Sequence, residues 1–172
     1  HMSIWYGAHV ADESELRLCG DLAGKRVIEL GLAAAAGSIT PNSVTAAMAG
    51  AKAMALDPDP QAIAAVRAAA ELAEVKVECH RGDLADLGFA TSASVDLVVA
   101  SHTLAGVDDL PRVLRQVHRV LKPGAPFVVA MRHPVAAMFG GTDHTATAAY
   151  GALSTTFTEL YMSFERSNFR LD

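Results

Sequence analysis

The stretch Lys25-Arg26-Val27-Ile28-Glu29-Leu30-Gly31 decides the fold, together with Ala51-Lys52-Ala53-Met54-Ala55-Leu56-Asp57 downstream of it. The first apolar run ends in an acid and a glycine. The second ends in Asp57. Between them lie a loop of small residues and a short helix. This is the pattern of the front half of a nucleotide-binding βαβ unit. A buried parallel strand leads into a loop that backbone and ligand can share. A crossover helix follows, and a carboxylate at the tip of the next strand suits ribose hydroxyls. Thr40 can cap the helix, Pro41 fits its first position and Gly50 fits just past its end.

Working outward, the chain alternates strand and helix signals. Asp57-Pro58-Asp59-Pro60 is a turn, with Asp59 able to cap and Pro60 able to open an alanine-rich helix to about Glu74. Val75 to Cys79 is expected as the third strand, ahead of Gly82-Asp83-Leu84. Val95 to Ala100 is apolar apart from Asp96, as a parallel strand covered on both faces should be. Asp108 to Leu121 places Leu110, Val113, Leu114, Val117, Val120 and Leu121 at helical spacing. Pro123-Gly124 stops that helix, and Phe127 to Met131 is the next strand. On the N-terminal side, Asp12 to Leu22 reads as a helix with acids in its first turn. Toward the C-terminus, Val135 to Gly151 reads as a substrate-side loop, Thr155 to Ser167 as an amphipathic helix, and Asn168 to Asp172 as the beginning of another strand.

These segments resemble a class I S-adenosylmethionine-dependent methyltransferase of the small-molecule, methyltransferase type 11-like kind. The resemblance covers Trp5 to Pro134. Five anchors carry it: Val27 to Gly31, Ala51 to Asp57, Gly82-Asp83-Leu84, Val95 to Val99, and Leu121-Lys122-Pro123-Gly124. They occur in family order. The resemblance implies a Rossmann-like α/β domain, a doubly wound and mostly parallel sheet with helices on both faces. The family's last two strands are incomplete here. It also implies S-adenosylmethionine as cofactor and S-adenosylhomocysteine as product. Glu29, Gly31, Asp57, Pro58, Asp83, Leu84 and Ser101 fall at cofactor-binding positions, with Asp57 for the ribose and Asp83 and the Leu84 amide for adenine. Asp83 also fits a solvated turn acid.

His133, His102 and Tyr6 are the acceptor-side candidates. His133, in Arg132-His133-Pro134, faces substrate or is structural. His102, after the strand ending near Ala100, faces ligand or bonds locally. Trp5 and Tyr6 either wall the substrate side or cover the sheet. One departure stands out. The loop from Gly31 to Thr40 is longer than the family's and filled with alanine, whose Cβ makes close approach of a ligand harder.

Composition narrows the classes further. The chain has 172 residues, half of them hydrophobic, enough for one domain with a sizeable core. Residues 1–2 read as an expression scar, 3–24 as an N-terminal cap segment and 25–172 as the methyltransferase-like domain. The net charge of −5 and the lack of a basic stripe argue against a nucleic-acid partner. No run is apolar enough to span a membrane. Two separated cysteines, Cys19 and Cys79, suit buried free thiols and a cytoplasmic protein. The histidines and cysteines lack metal-ligand spacing.

The expected function is methyl transfer by in-line displacement to a small-molecule acceptor. The alternative is an impaired methyltransferase-like scaffold, or an S-adenosylmethionine-binding protein acting through protein contacts. An NAD-dependent reductase fits less well. The dinucleotide fingerprint is absent after Gly31, and Tyr6, Tyr150 and Tyr161 are followed four positions on by Val10, Ser154 and Glu165 rather than lysine. An open sheet edge predicts either a homodimer, with a second copy of the chain closing it, or mobile residues left along it.

Overall fold

The computed structural model describes residues 3–7, 10–32 and 39–131. Five strands form its sheet: β1 (Arg26–Leu30), β2 (Lys52–Asp57), β3 (Val77–Arg81), β4 (Leu97–Ser101) and β5 (Phe127–Ala130). Their order is β3-β2-β1-β4-β5, and every pair is parallel. Four helices connect or precede them: α1 (Glu13–Leu16), α2 (Asn42–Met48), α3 (Pro60–Leu72) and α4 (Leu110–Val120).

The order reverses between β1 and β4. Crossovers through α2 and α3 move one way along the sheet, and the crossover through α4 moves the other. Connections of one hand running in opposite directions cover opposite faces. The packing shows this. Ile28, Met54 and Val98 are in register and face the buried side of α4, formed by Val113, Val117 and Val120. Val27, Ala53 and Leu97 face the other way, where Ile4, Tyr6 and Ala46 cover them. Val66, Ile63 and Ala70 of α3 pack with Val44 and Ala55 on that same side. A sheet clothed on both faces explains why β1, β2 and β4 are largely apolar, with Glu29 the one charged residue buried in β1.

Several element ends differ from expectation, each for a local reason. The expected helix from Asp12 to Leu22 stops at Leu16. Arg17 takes a left-handed conformation, and the Glu13 carboxylate accepts the amides of Leu18, Cys19 and Gly20 at 2.8, 2.9 and 3.0 Å. One acid thus bends the chain back on itself. Strand β3 starts two residues later than expected. Glu74 is left-handed, and Val75 N–H returns to Ala70 O at 3.0 Å, so Val75 still belongs to the end of α3.

Thr40 does not occupy the cap of α2. Pro41 does, and offers no side-chain hydrogen bond. Asp59 and Pro60 open α3 as expected, with Asp59 accepting from Gln61 N–H at 2.8 Å. The expected segments from Val135 to Asp172 lie outside the described residues. Among the described residues, no helix is long and apolar enough to cross a membrane.

Candidate active site at the carboxyl edge

Ligands of open α/β sheets lie outside the carboxyl ends of the strands, where the order reverses. That place is the crevice between β1 and β4, flanked by the tip of β2. The strand tips are tied together there. Gly31 N–H donates to Leu56 O at 2.8 Å, and Gly82 N–H donates to Asp57 O at 3.1 Å. Asp57 and the Gly82-Asp83 turn therefore stand side by side on one edge.

Asp57 is half-buried at the end of β2. Its Oδ2 accepts from Leu32 N–H at 2.7 Å and its Oδ1 from Asp59 N–H at 2.8 Å. The two amides fix the carboxylate in one orientation. Each oxygen keeps a further lone pair, since a carboxylate has about four acceptor positions. A pinned carboxylate with spare acceptors fits the vicinal hydroxyls of a ribose. Pro58 is exposed beside it. Asp83 is exposed and accepts from Ala85 N–H at 2.7 Å, while Leu84 is buried under it.

Gly31 has φ +77°, and the side chain of Thr103 lies where a Cβ would stand. Thr103 reaches across from the end of β4 to donate to Leu30 O at 2.6 Å. The turn after β1 therefore needs glycine on two counts, conformation and space.

Glu29 does not face the open edge. It is 4% exposed, and its oxygens accept from Asn42 N–H at 3.1 Å, Ser43 N–H at 2.7 Å and the Ser43 hydroxyl at 2.6 Å. It supplies from β1 the cap that Pro41 cannot give α2. Burial raises its pKa, and the three donors pull the other way. Ser101 is likewise buried, its hydroxyl donating to Trp5 O at 2.9 Å. Both residues were expected to touch cofactor. Both make internal hydrogen bonds instead, Glu29 to the start of α2 and Ser101 to Trp5.

Of the two readings of Tyr6, the structure fits the one in which it covers the sheet. It is 0% exposed in the core on the face carrying Val27 and Leu97. Its hydroxyl donates to Glu13 Oε2 at 2.6 Å and lies 3.0 Å from Cys19 Sγ. Burial drives its pKa upward, with Cys19 and Glu13 adding to the shift. Burial also pushes the Cys19 thiol up to about 12.

Trp5 is half-buried, and its ring sits 6.2 Å from that of His102, tilted by 54°. His102 is exposed on a left-handed backbone, φ +58°, with its N–H on Ala130 O at 2.7 Å. His133 lies outside the described residues. Sequence reading missed Asn42, whose side chain bonds both backbone groups of Trp5 at 2.8 Å each. Nothing local betrays it, because its partners are 37 residues away.

A groove of about 520 Å³ also opens beside the β3 edge, lined by His80, Phe89, Arg112 and Gln116 among others. It includes neither Asp57 nor any residue of the β1–β4 crevice, so the chemistry is not placed there. Among the described residues, no group of three or more His, Cys, Asp and Glu could hold a metal ion.

An all-parallel sheet in this order, with a pinned acid at the tip of β2 beside the reversal, defines a doubly wound nucleotide-binding domain. The chain belongs to the methyltransferase domain family, which matches residues 32–129, more than half its length. An S-adenosylmethionine dependent methyltransferase from Mesorhizobium loti is 30% identical, with a TM-score of 0.57, over 69% of this chain and 52% of its own. A SAM dependent methyltransferase from Aquifex aeolicus is 19% identical over 68% of this chain and 61% of its own, with a TM-score of 0.57, a likeness of fold alone. A segment of 46 residues is 54% identical to the mitochondrial arginine-hydroxylase NDUFAF5 of Mus musculus, covering 27% of this chain and 11% of that protein. The chain thus spans about half the length of the Mesorhizobium relative.

Proposed function

We propose that this chain binds S-adenosylmethionine at the carboxyl edge and transfers its methyl group to a small-molecule acceptor. Asp57 carries the reading. Its carboxylate is fixed by two backbone amides and keeps acceptor capacity for the ribose hydroxyls. The family membership and the Mesorhizobium likeness support the same donor. The short match to an arginine hydroxylase covers too little of that protein to bring its reaction here.

When bound, the cofactor supplies a methyl group on a cationic sulfur that departs as a neutral thioether. The protein's own task is then mainly positional. Asp57 accepts from the ribose, and Asp83 with the Leu84 amide holds adenine. Gly31 lets the chain turn without filling the space taken by Thr103. The acceptor enters from the side of Trp5 and His102. A general base matters only for an acceptor that still carries its proton at neutral pH, and His102 and His133 are the candidates. We also propose pairing of two copies through an open sheet edge, since β3 and β5 have no outer neighbour among the described residues. Sedimentation showing a monomer at every concentration would end that part.

Calorimetric titration with S-adenosylmethionine and S-adenosylhomocysteine tests the main reading. Micromolar binding is expected, weakened at least about tenfold by Asp57→Ala through loss of charge-assisted hydrogen bonds. A folded protein that takes up neither ligand would instead be a methyltransferase-like scaffold working through protein contacts.

A further inference from the structure

Asn42 joins four separate parts of the molecule. Its backbone N–H meets Glu29 of β1. Its side-chain oxygen accepts from Trp5 N–H at 2.8 Å, and its amide donates to Trp5 O at 2.8 Å and to Ser101 Oγ at 3.3 Å. Ser101 in turn donates to Trp5 O. Asn42 and Ser101 are each 4% exposed. The N-terminal strap around Trp5 lies outside the sheet, so the strand ladders do not satisfy its backbone polar groups. Here the N–H and C=O of one residue are both taken by buried side chains from α2 and β4.

The consequence is a fixed place for the rings above. The Trp5 indole stands beside His102, over the end of β4. Gly7, two residues along the strap, has φ +154°, and a Cβ on it would lie 2.5 Å from His102 Nε2. His102 itself is left-handed. Glycine at 7 leaves room for the His102 ring, and the left-handed backbone of His102 is a strain that persists only where the surroundings over-determine it.

We propose that Asn42 is a positioning residue for the ligand site. With Ser101, it holds the strap so that Trp5 and His102 close one side of the β1–β4 crevice. This rests on the donor-site reading above. It adds that the affinity of that site depends on a side chain that itself touches no ligand.

Trp5 is the only tryptophan in the chain, so its fluorescence reports on the strap alone. Asn42→Ala should shift Trp5 emission to the red and weaken S-adenosylhomocysteine binding by about tenfold, with Ser101→Ala weakening it about threefold. Val117→Ala, on the buried side of α4, should lower the melting temperature and leave both readouts at wild-type values. Should Asn42→Ala fail to fold, Ser101→Ala decides the matter. Wild-type affinity in a folded clamp variant, with or without an emission shift, overturns the proposal. A wild-type protein that binds no S-adenosylhomocysteine sinks the donor-site reading itself, and this inference goes with it.

Discussion

The acids at the tips of β2 and β3 are held differently from the polar groups of the β1–β4 crevice. Besides the bond that Asp57 makes to Leu32 across 25 residues, Asp57 bonds Asp59 and Asp83 bonds Ala85, each two residues on. These are local turns that any chain with an acid at that point tends to make. In the crevice, Glu29 reaches Ser43 across 14 residues, Asn42 reaches Trp5 across 37, and Ser101 reaches Trp5 across 96. The tips are exposed or half-buried, whereas the crevice groups are sealed. A ligand can displace water from the first kind of site with little rearrangement. The second kind sets the shape that the ligand meets.

The sharpest way to break this contrast is to remove Glu29. Glu29→Ala leaves two buried amides and a hydroxyl without partners, and should cost about 3 kcal/mol or more in urea unfolding. A loss below about 1 kcal/mol would mean that water replaces the carboxylate, and the crevice would not be sealed after all.

A middle-sized effect is expected at alkaline pH under the strap. The Cys19 thiol is raised from 9.0 to about 12, and the Tyr6 hydroxyl is raised as well. Raised groups stabilise the fold fully below their unfolded pKa and lose that contribution as pH climbs toward the folded value. Melting temperature should therefore fall as pH rises from 9.0 toward about 12, less steeply in Cys19→Ala. A mutant with the wild-type slope would place the titration elsewhere. The smallest effect belongs to Asp83→Ala, about 0.5 kcal/mol or less in stability, because only an exposed turn is lost. A large loss there would erase the distinction between tips and crevice.

The same contrast explains what could be read in advance. β1, β2 and β4 announced themselves because both their faces are buried. Asp59-Pro60 marked α3 through chemistry confined to neighbours. The parallel sheet follows from the alternation of strand and helix, while its order β3-β2-β1-β4-β5 is seen only in the folded chain. Glu29, by contrast, looks in sequence like a ligand group at a strand end. Only the folded chain brings α2 over it. The helix expected from Asp12 failed because leucine spacing says nothing of a carboxylate gathering three later amides.

Tyr6 and Trp5 are separated by the fold and not by their residue types, since Ile4-Trp5-Tyr6 is apolar throughout. Ile4 and Tyr6 are buried while Trp5 is not, the two-residue alternation of an extended segment. That period sends Tyr6 to the core and leaves Trp5 half-buried beside His102.

Thr103 and Gly31 carry a consequence for how this sequence can vary. The threonine hydroxyl secures the last carbonyl of β1, and its carbon skeleton occupies the volume beside a residue that has no side chain. Neither position can drift by itself. Any methyl introduced at 31 demands a slimmer neighbour at 103, which then forfeits the hydroxyl and frees Leu30 O. Across related sequences the two columns should covary, with glycine tolerating a branched partner and bulkier choices at 31 appearing only beside alanine or glycine at 103.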